Sequence, residues 1–292
     1  MPDPLPTDRI AAVAPGLHLL ATPIGAARDI TLRALDILAG AEVLAAEDTR
    51  TLRRLMDLHG VALRGRPLIA YHDHNAARMR PRLLAALARG DSVAYASDAG
   101  TPLVADPGYA LVRAAIAAGH AVRAAPGPSA VLAALTVSGL PSDRFLFAGF
   151  PPPQAAARRR WAEELREVPA TLVMYESPRR VGELLGVLCE VWGKERSAAV
   201  CRELTKRFEE VRRGTLETLQ QDLDRDPVRG EVVVVVDRAP ARPADAAAGL
   251  DELLGARLRA LSLKAAVVEV AALTGLPRRE VYQAALRLSS SQ

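Results

Sequence analysis

Five short apolar runs alternate with longer amphipathic segments between residues 17 and 140, a rhythm that suits an open α/β sheet better than any all-helical or all-strand fold. The runs lie at 17–22, 42–46, 67–71, 92–97 and 121–125 and are expected to be strands of a mostly parallel sheet. Helices are expected between them at 29–39, 49–58, 76–89, 107–118 and 128–138, several closed by glycine at Gly40, Gly60, Gly90 and Gly119. Residues 149–153, Gly-Phe-Pro-Pro-Pro, cannot continue a helix and read as a linker, which bounds a first domain at 1–148. A second α/β layer is expected over 149–240, with a basic helix at 154–167, strands at 171–175, 198–203, 209–213 and 231–237, and helices at 178–192 and 215–224. Its pairing should be more hairpin-like than that of the first layer. An Ala, Pro and Arg hinge at 239–248 opens a tail, 241–292, whose residues 251–288 read as three short helices with turns at Ser262 and 275–277. A helix-turn-helix and a plain helical cap describe that tail equally well.

Composition narrows the function classes. The chain has 292 residues, room for two domains and a small appendage, and half of its residues are hydrophobic, as in folded globular proteins. No apolar stretch approaches the roughly 20 residues that span a bilayer, and the first 15 residues carry acidic residues and prolines where a signal peptide would be basic and then apolar. A cytoplasmic protein is expected. Cys189 and Cys201, with eleven residues between them, fit neither a disulfide framework nor a zinc knuckle. The net charge of +4 rests almost wholly on arginine, since lysine occurs only at Lys194, Lys206 and Lys264. Arginine forks suit phosphate, but so small a surplus permits RNA binding without requiring it.

In an open α/β sheet, ligands bind beyond the carboxyl ends of the strands, so the residues following each run matter most. They read Thr22-Pro23-Ile24-Gly25, Glu47-Asp48-Thr49-Arg50, His72-Asp73-His74-Asn75, Asp98-Ala99-Gly100-Thr101-Pro102 and Pro126-Gly127-Pro128-Ser129. Gly25, Gly100 and Gly127 would share one sheet edge and let backbone amides approach a ligand. Neither a GxxxxGK[ST] loop nor a GxGxxG after the first strand is present, which favours a cofactor without phosphates to cradle. His72 and His74 share a face of an extended segment, yet no further His or Cys cluster accompanies them, and substrate contact or plain solvent exposure is a better reading than a metal. Glu47 and Asp48 form a candidate acid-base pair, while Asp48 also stands where a helix N-cap is expected. In the second layer, Tyr175-Glu176-Ser177-Pro178 and Arg202-Glu203-Leu204-Thr205-Lys206 end strands with dense polar groups; helix capping by Ser177 and a surface ion pair are their ordinary alternatives.

The segments ATPIGAARDITLRAL (21–35), AAEDTR (45–50), YHDHN (71–75), SDAGTPLVADPGYALVRAA (97–115), PGPSAVLAAL (126–135), GLPSDRFLFAGFPP (139–152), YESPRR (175–180), RELTK (202–206) and RGEVVVVV (229–236) occur in order along nearly the whole chain. Together they resemble the tetrapyrrole methylase superfamily of S-adenosylmethionine-dependent methyltransferases, in its ribosomal RNA 2'-O-ribose branch. Ala26-Ala27-Arg28 departs from the more usual Asn-Leu-x of that branch, and Lys206-Arg207-Phe208 varies the stretch after its strand. The resemblance implies a two-domain class III methyltransferase fold with a helix-turn-helix-like tail, a homodimer, no metal, and a donor, S-adenosylmethionine, held between the two domains. By the family pattern, Pro23, Ser97, Asp98, Ala99, Gly100, Thr101, Pro102, Pro126, Gly127, Ser129 and Ala130 form one cofactor wall, and Tyr175 and Gly230 the other.

The implied acceptor is 16S rRNA in the small ribosomal subunit, at the ribose 2'-oxygen of a decoding-centre cytidine. A ribose hydroxyl is a weak acid, so a nearby base would help; Glu47, Asp48, Glu176, Glu203 and Lys206 are the candidates. Arg50, His72, His74, Arg179 and Arg180 are candidate substrate contacts, and the arginines at 158–160 further phosphate contacts. The rival readings are a small-molecule methyltransferase of the same superfamily, acting on a corrin-like ring, and a non-catalytic RNA-binding module.

Overall fold

A computed structural model describes residues 12–104, 108–239, 243–274 and 276–290. The readings of the first 11 residues, of the fourth helix's start at 107, of 240–242 in the hinge and of Gly275 lie outside these. Two compact units are present, Met1–Arg238 and Ala239–Gln292.

The first unit holds two five-stranded sheets. The first contains β1 (Gly16–Leu20), β2 (Val43–Ala46), β3 (Leu68–Ala70), β4 (Ser92–Ala96) and β5 (Val122–Ala125), in the order β3-β2-β4-β1-β5. Every pairing in it is parallel. β1, β2 and β4 are buried along their whole length, because helices cover both faces. Leu20, Leu44 and Ala96 face one core, and Leu17, Val43, Val93 and Tyr95 the other. The crossovers are α1 (Leu32–Gly40), α2 (Thr49–Leu58), α3 (Ala76–Ala88) and α4 (Tyr109–Ala117), and α5 (Ala130–Ser138) follows β5. Gly60, Gly90 and Gly119 follow their helices with φ of 69°, 89° and 80°, the left-handed closure expected of them. Gly40 instead lies inside α1, and Ala41 caps it with an ordinary φ of −66°.

The second sheet contains β6 (Phe145–Phe147), β7 (Thr171–Glu176), β8 (Ser197–Arg202), β9 (Glu210–Thr215) and β10 (Val232–Val236), in the order β6-β7-β10-β8-β9. Only β6 and β7 are parallel; β10 runs antiparallel to β7 and β8, and β9 antiparallel to β8. α6 (Ala155–Leu165), α7 (Val181–Trp192) and α8 (Leu216–Arg225) complete this layer. The strand β6 was not foreseen: its three residues are too few to show a period, and it joins the second sheet before residues 149–153 are reached.

α5 joins the two sheets. Its Val131, Ala134 and Leu135 are buried against Val173 of β7, Ala199 and Cys201 of β8, and Val233 and Val235 of β10. The five valines of β10 divide by parity, 233 and 235 toward α5, and 232, 234 and 236 into the core made with α7 and α8. Full burial of a side chain such as Val131 or Leu135 contributes about 1.5–3 kcal/mol. On the far side of the junction, Ala26 N donates to Thr205 Oγ1 (3.1 Å). Gly25 is required there, since a Cβ would stand 2.5 Å from Lys206 Cγ, 2.6 Å from Thr205 Oγ1 and 3.0 Å from the Leu204 carbonyl oxygen. The close approach expected at Gly25 is therefore made to the second sheet's own loop.

The second unit is three helices, α9 (Pro243–Leu258), α10 (Leu263–Thr274) and α11 (Arg278–Ser290), around Leu254, Val270, Val281 and Ala285. The expected hinge is shorter than read, because the helix already begins at Pro243, a residue well suited to a first turn.

α2 is capped by Asp48, which accepts from Arg50 N (2.8 Å) while its carboxylate also grips the Arg50 guanidinium (2.6 Å). The Arg50 side-chain and backbone hydrogen bonds hold the Asp48 carboxyl at about 2, below the usual 3.8. A lowered folded value stabilises above the unfolded pKa and is lost as pH falls toward the folded one. The Asp48 contribution is therefore intact above pH 4 and fades between about 4 and 2. In a carboxyl-carbon NMR titration Asp48 should show a midpoint near 2, moving up toward 3.8 in Arg50→Gln; a wild-type midpoint at 3.8 would contradict the capping geometry. Gly25→Ala should destabilise by about 1–3 kcal/mol, through overpacking at the junction. Thermal unfolding checks this, and an unchanged Tm would mean that the loops do not meet there.

Candidate active site

The loop after β4 is tied to its neighbours by a short hydrogen-bond ladder. Thr22 N donates to Gly100 O (3.0 Å) and Gly100 N to Thr22 O (2.9 Å). Thr22 Oγ1 donates to Ser97 O (3.0 Å), Ser97 Oγ to Gly100 O (2.6 Å) and Thr101 Oγ1 to Pro128 O (2.9 Å). Asp98 Oδ1 accepts from Asp48 N (2.8 Å), which fixes the same loop to the end of β2. Gly100 has φ +76°, and a Cβ on it would stand 3.3 Å from Ile24 Cγ2. These ties leave the backbone of residues 99–101 presented to open space.

The facing wall follows from strand direction. Because β10 is antiparallel to β7 and β8, its start at Val232 pairs with both Glu176 and Arg202, and three strand ends converge. A cavity of about 450 Å³ lies between the two walls. Ile24, Ala99, Gly100, Thr101 and Val104 line it from the first sheet, and Ser129 and Ala130 from the start of α5. Tyr175 to Pro178 and Arg180 line it from β7 onward, Cys201 and Leu204 from β8, and Gly230 to Val233 from β10, with Phe150 at the rim.

One carboxylate in this cavity is incompletely satisfied. The Glu176 side chain is fully buried, and its Oε1 accepts from Ser177 N (2.7 Å) and from the Arg180 guanidinium (2.8 and 2.6 Å). Its Oε2 is buried and has no hydrogen-bond partner among the described residues. An unpaired buried carboxylate oxygen is costly unless a ligand supplies a donor.

The second polar group is closed on itself. Glu203 Oε1 accepts from Lys206 Nζ (2.9 Å) and Glu231 N (3.0 Å), and Lys206 also pairs with Glu231 Oε2 (3.1 Å). The Glu231 amide and then the Lys206 charge hold the Glu203 carboxyl below its usual range. Burial pulls the Lys206 amine down, but the two carboxylates outweigh it and raise the amine above its ordinary value. Gly230, at φ +85°, makes room for this arrangement, since a Cβ there would stand 2.4 Å from Glu203 Cδ. Nearby, the Tyr175 ring meets Phe147 and Phe150 edge-on at 4.8 and 5.4 Å, and burial pushes its phenol up. Burial also pushes the Cys201 thiol up to about 11.

Of the sequence-derived cofactor residues, Ala99, Gly100, Thr101, Ser129, Ala130, Tyr175 and Gly230 line the cavity, as do Glu176 and Arg180 from the other sets. Ser97 and Asp98 act behind the wall, and Pro23, Pro102, Pro126 and Gly127 are not on it. Gly127 serves packing, since a Cβ would stand 3.0 Å from that of Ala21. Glu47, Asp48, Glu203, Lys206, Arg50, His72, His74 and Arg179 also lie off the lining. His72 and His74 have ring centroids 6.0 Å apart, and no group of three His, Cys, Asp or Glu suited to a metal occurs among the described residues.

Two expectations fail on burial and register. Arg158 is 3% exposed and bonded to Glu183 (2.8 Å), so it cannot meet RNA from the surface as proposed for 158–160. Ser177 does not cap a helix through its side chain: a turn at 178–180 intervenes, and α7 begins at Val181. Sequence reasoning missed Ile24, Val104, Cys201, Leu204 and Val233, apolar residues that read as core. Ile24 and Leu204 sit in strand-end segments already singled out, while nothing in the runs of β8 and β10 marks Cys201 and Val233. Phe150, an aromatic set between Gly149 and three prolines, was visible but absorbed into the linker reading.

Among the described residues no helix is long and apolar enough to cross a membrane. Residues 16–220 match the family of Tetrapyrrole (Corrin/Porphyrin) Methylases, and residues 243–289 match the RsmI C-terminal HTH domain. The ribosomal RNA small subunit methyltransferase I of Mesorhizobium japonicum is 51% identical over 95% of this chain and 93% of its own length. Its namesake in Pseudomonas aeruginosa is 42% identical over 93% of this chain and 96% of its own. The fold is shared with a diphthine synthase (TM-score 0.56, 17% identity, 76% of this chain and 89% of that one). It is shared too with the Thermus thermophilus uroporphyrin-III C-methyltransferase complexed with S-adenyl homocysteine (TM-score 0.53, 19% identity, 77% and 98%). Identity this high over almost the full length, on this α/β fold with its helical C-terminal unit, places the chain in the ribosomal RNA small subunit methyltransferase I family.

Proposed function

We propose that this protein transfers the methyl group of S-adenosylmethionine to the ribose 2'-hydroxyl of a decoding-centre cytidine in 16S rRNA. The observation that carries the reading is the cavity at the converging strand ends, in a chain of this methyltransferase family. The residues present fit such a donor. The volume of about 450 Å³ is within the range of small-molecule sites, and the walls from Ile24, Val104 and Val233 are apolar, while Glu176 Oε2, without a partner among the described residues, is left for the acceptor's hydroxyl. When bound, the donor supplies a sulfonium methyl open to in-line attack by an oxygen.

The chain's own part is to orient the two reactants and to exclude water, which in well-aligned cases is worth roughly 7–11 kcal/mol of barrier. The wall at 97–101 suits this because five hydrogen bonds to neighbouring strands and loops hold it before any ligand arrives. The hydroxyl proton needs an acceptor. Asp48 is committed to Arg50, and Glu203 and Lys206 to each other. Glu47 lies outside the cavity, whereas Glu176 lines it with a free oxygen. Glu176 is thus the base we favour, with Arg180 holding its orientation.

Arg50, His72, His74 and Arg179 remain proposed contacts to RNA outside the cavity. A homodimer, a cytoplasmic location, reaction without a metal, and domain limits at 148/149 and 240/241 belong to the same proposal.

Labelled methyl from S-adenosylmethionine should appear in small ribosomal subunits from a strain lacking this enzyme, at the ribose 2'-oxygen of one cytidine on nuclease mapping. No incorporation into RNA, despite donor binding, would overturn the reading. Glu176→Gln should lower kcat by about 10²-fold or more while leaving donor affinity nearly unchanged; equal losses in both would remove Glu176 from the role of base.

A further inference from the structure

Outside the cavity, the exposed side of α2 carries an arginine stripe that the proposed reaction has not used in full. Arg50, Arg53, Arg54 and Asp57 fall at i, i+3, i+4 and i+7, one face of the helix, while Leu52 and Met56 are buried on the other. The stripe borders an open groove of about 640 Å³ between α2 and β3, lined by Arg50, Arg53, Arg54, Asp57, Leu58 and Leu68, with Thr49 at its head.

Three guanidinium groups face this groove and one carboxylate accompanies them. Arg53 meets Asp57 at 3.2 Å with both side chains about half exposed, a pairing that solvent weakens and a better anion can replace. Arg50, 89% exposed in its side chain, holds Asp48 and still has donors facing out. Arg54 has no ion-pair partner among the described residues. The face is shallow and open, with three arginines to one carboxylate, and Leu58, 55% exposed, adds an apolar edge.

The groove is also linked to the cavity. α2 starts at Thr49, directly after Asp48, whose amide donates to Asp98 Oδ1, and the next residues, Ala99 and Gly100, are cavity wall. Whatever rests on the arginines is thereby held at a fixed distance from the methyl donor.

We propose that the α2 groove binds the sugar-phosphate backbone of the RNA acceptor, Arg50, Arg53 and Arg54 contacting successive phosphates and setting the register of the strand whose ribose enters the cavity. This rests on the RNA-methylating reading given above. Arginine forks match phosphate oxygens in planar, paired geometry, and Arg50 lies one helical turn before the adjacent Arg53 and Arg54, about 6 Å along the axis.

The test is a salt titration of binding to naked 16S rRNA and to small subunits, for the wild-type chain and for Arg53→Gln/Arg54→Gln. Loss of two phosphate contacts should lower the slope of log K against log salt by about 1.4–1.8. KM for subunits should rise about tenfold or more, with Tm and the affinity for S-adenosylmethionine unchanged. An unchanged slope and KM would overturn the proposal. So would a loss confined to subunits with naked RNA bound normally, since that marks a protein partner. Binding is read apart from methyl transfer, so a reduced slope upholds the groove even if the methylated atom proves to be a different one.

Discussion

The packing of α5 against the second sheet is the contact on which the rest of this structure depends. Val131, Ala134 and Leu135 belong by sequence to the first α/β layer and by burial to the second, where they meet the inward valines of β10 and the small residues of β8. Had α5 packed back on its own sheet, the strand ends of the two layers would not converge. The cavity is a consequence of that choice, and the first turn of α5, at Ala130, forms part of its lining.

Charge is distributed around the cavity in two unlike ways. The Glu203, Lys206 and Glu231 cluster satisfies itself, with the Lys206 side chain beside Gly25. Glu176, a cavity-lining residue, is left half-satisfied, with one carboxylate oxygen held by Ser177 and Arg180 and the other buried without a partner among the described residues. Proteins tolerate such an imbalance where a ligand completes it. The contrast separates a self-satisfied carboxylate from one with an unpartnered oxygen, though both looked equivalent as polar residues at strand ends.

Much of this was legible in the sequence, and what was not had physical reasons. The run-and-segment rhythm located every strand of the first sheet, because strands buried on both faces are continuously apolar and stand out from their helices. The three-residue β6 carried no period, and the helical start at Pro243 was hidden by an alanine-rich stretch that reads as linker. Gly100 after β4 and Gly230 before β10, both expected to be cofactor residues, line the cavity. Burial is what the sequence withheld. It could not show that Arg158 is interior, that Asp48 is held by its own neighbour two residues on, or that Cys201 and Val233, core residues, also border a cavity.

The central claim is that the space between the two sheets is the donor site. A crystal structure with S-adenosylhomocysteine bound tests it most directly. The ligand should lie between the 99–101 backbone and Val233, leaving Glu176 Oε2 clear of it. Ligand bound elsewhere on the chain would contradict the account.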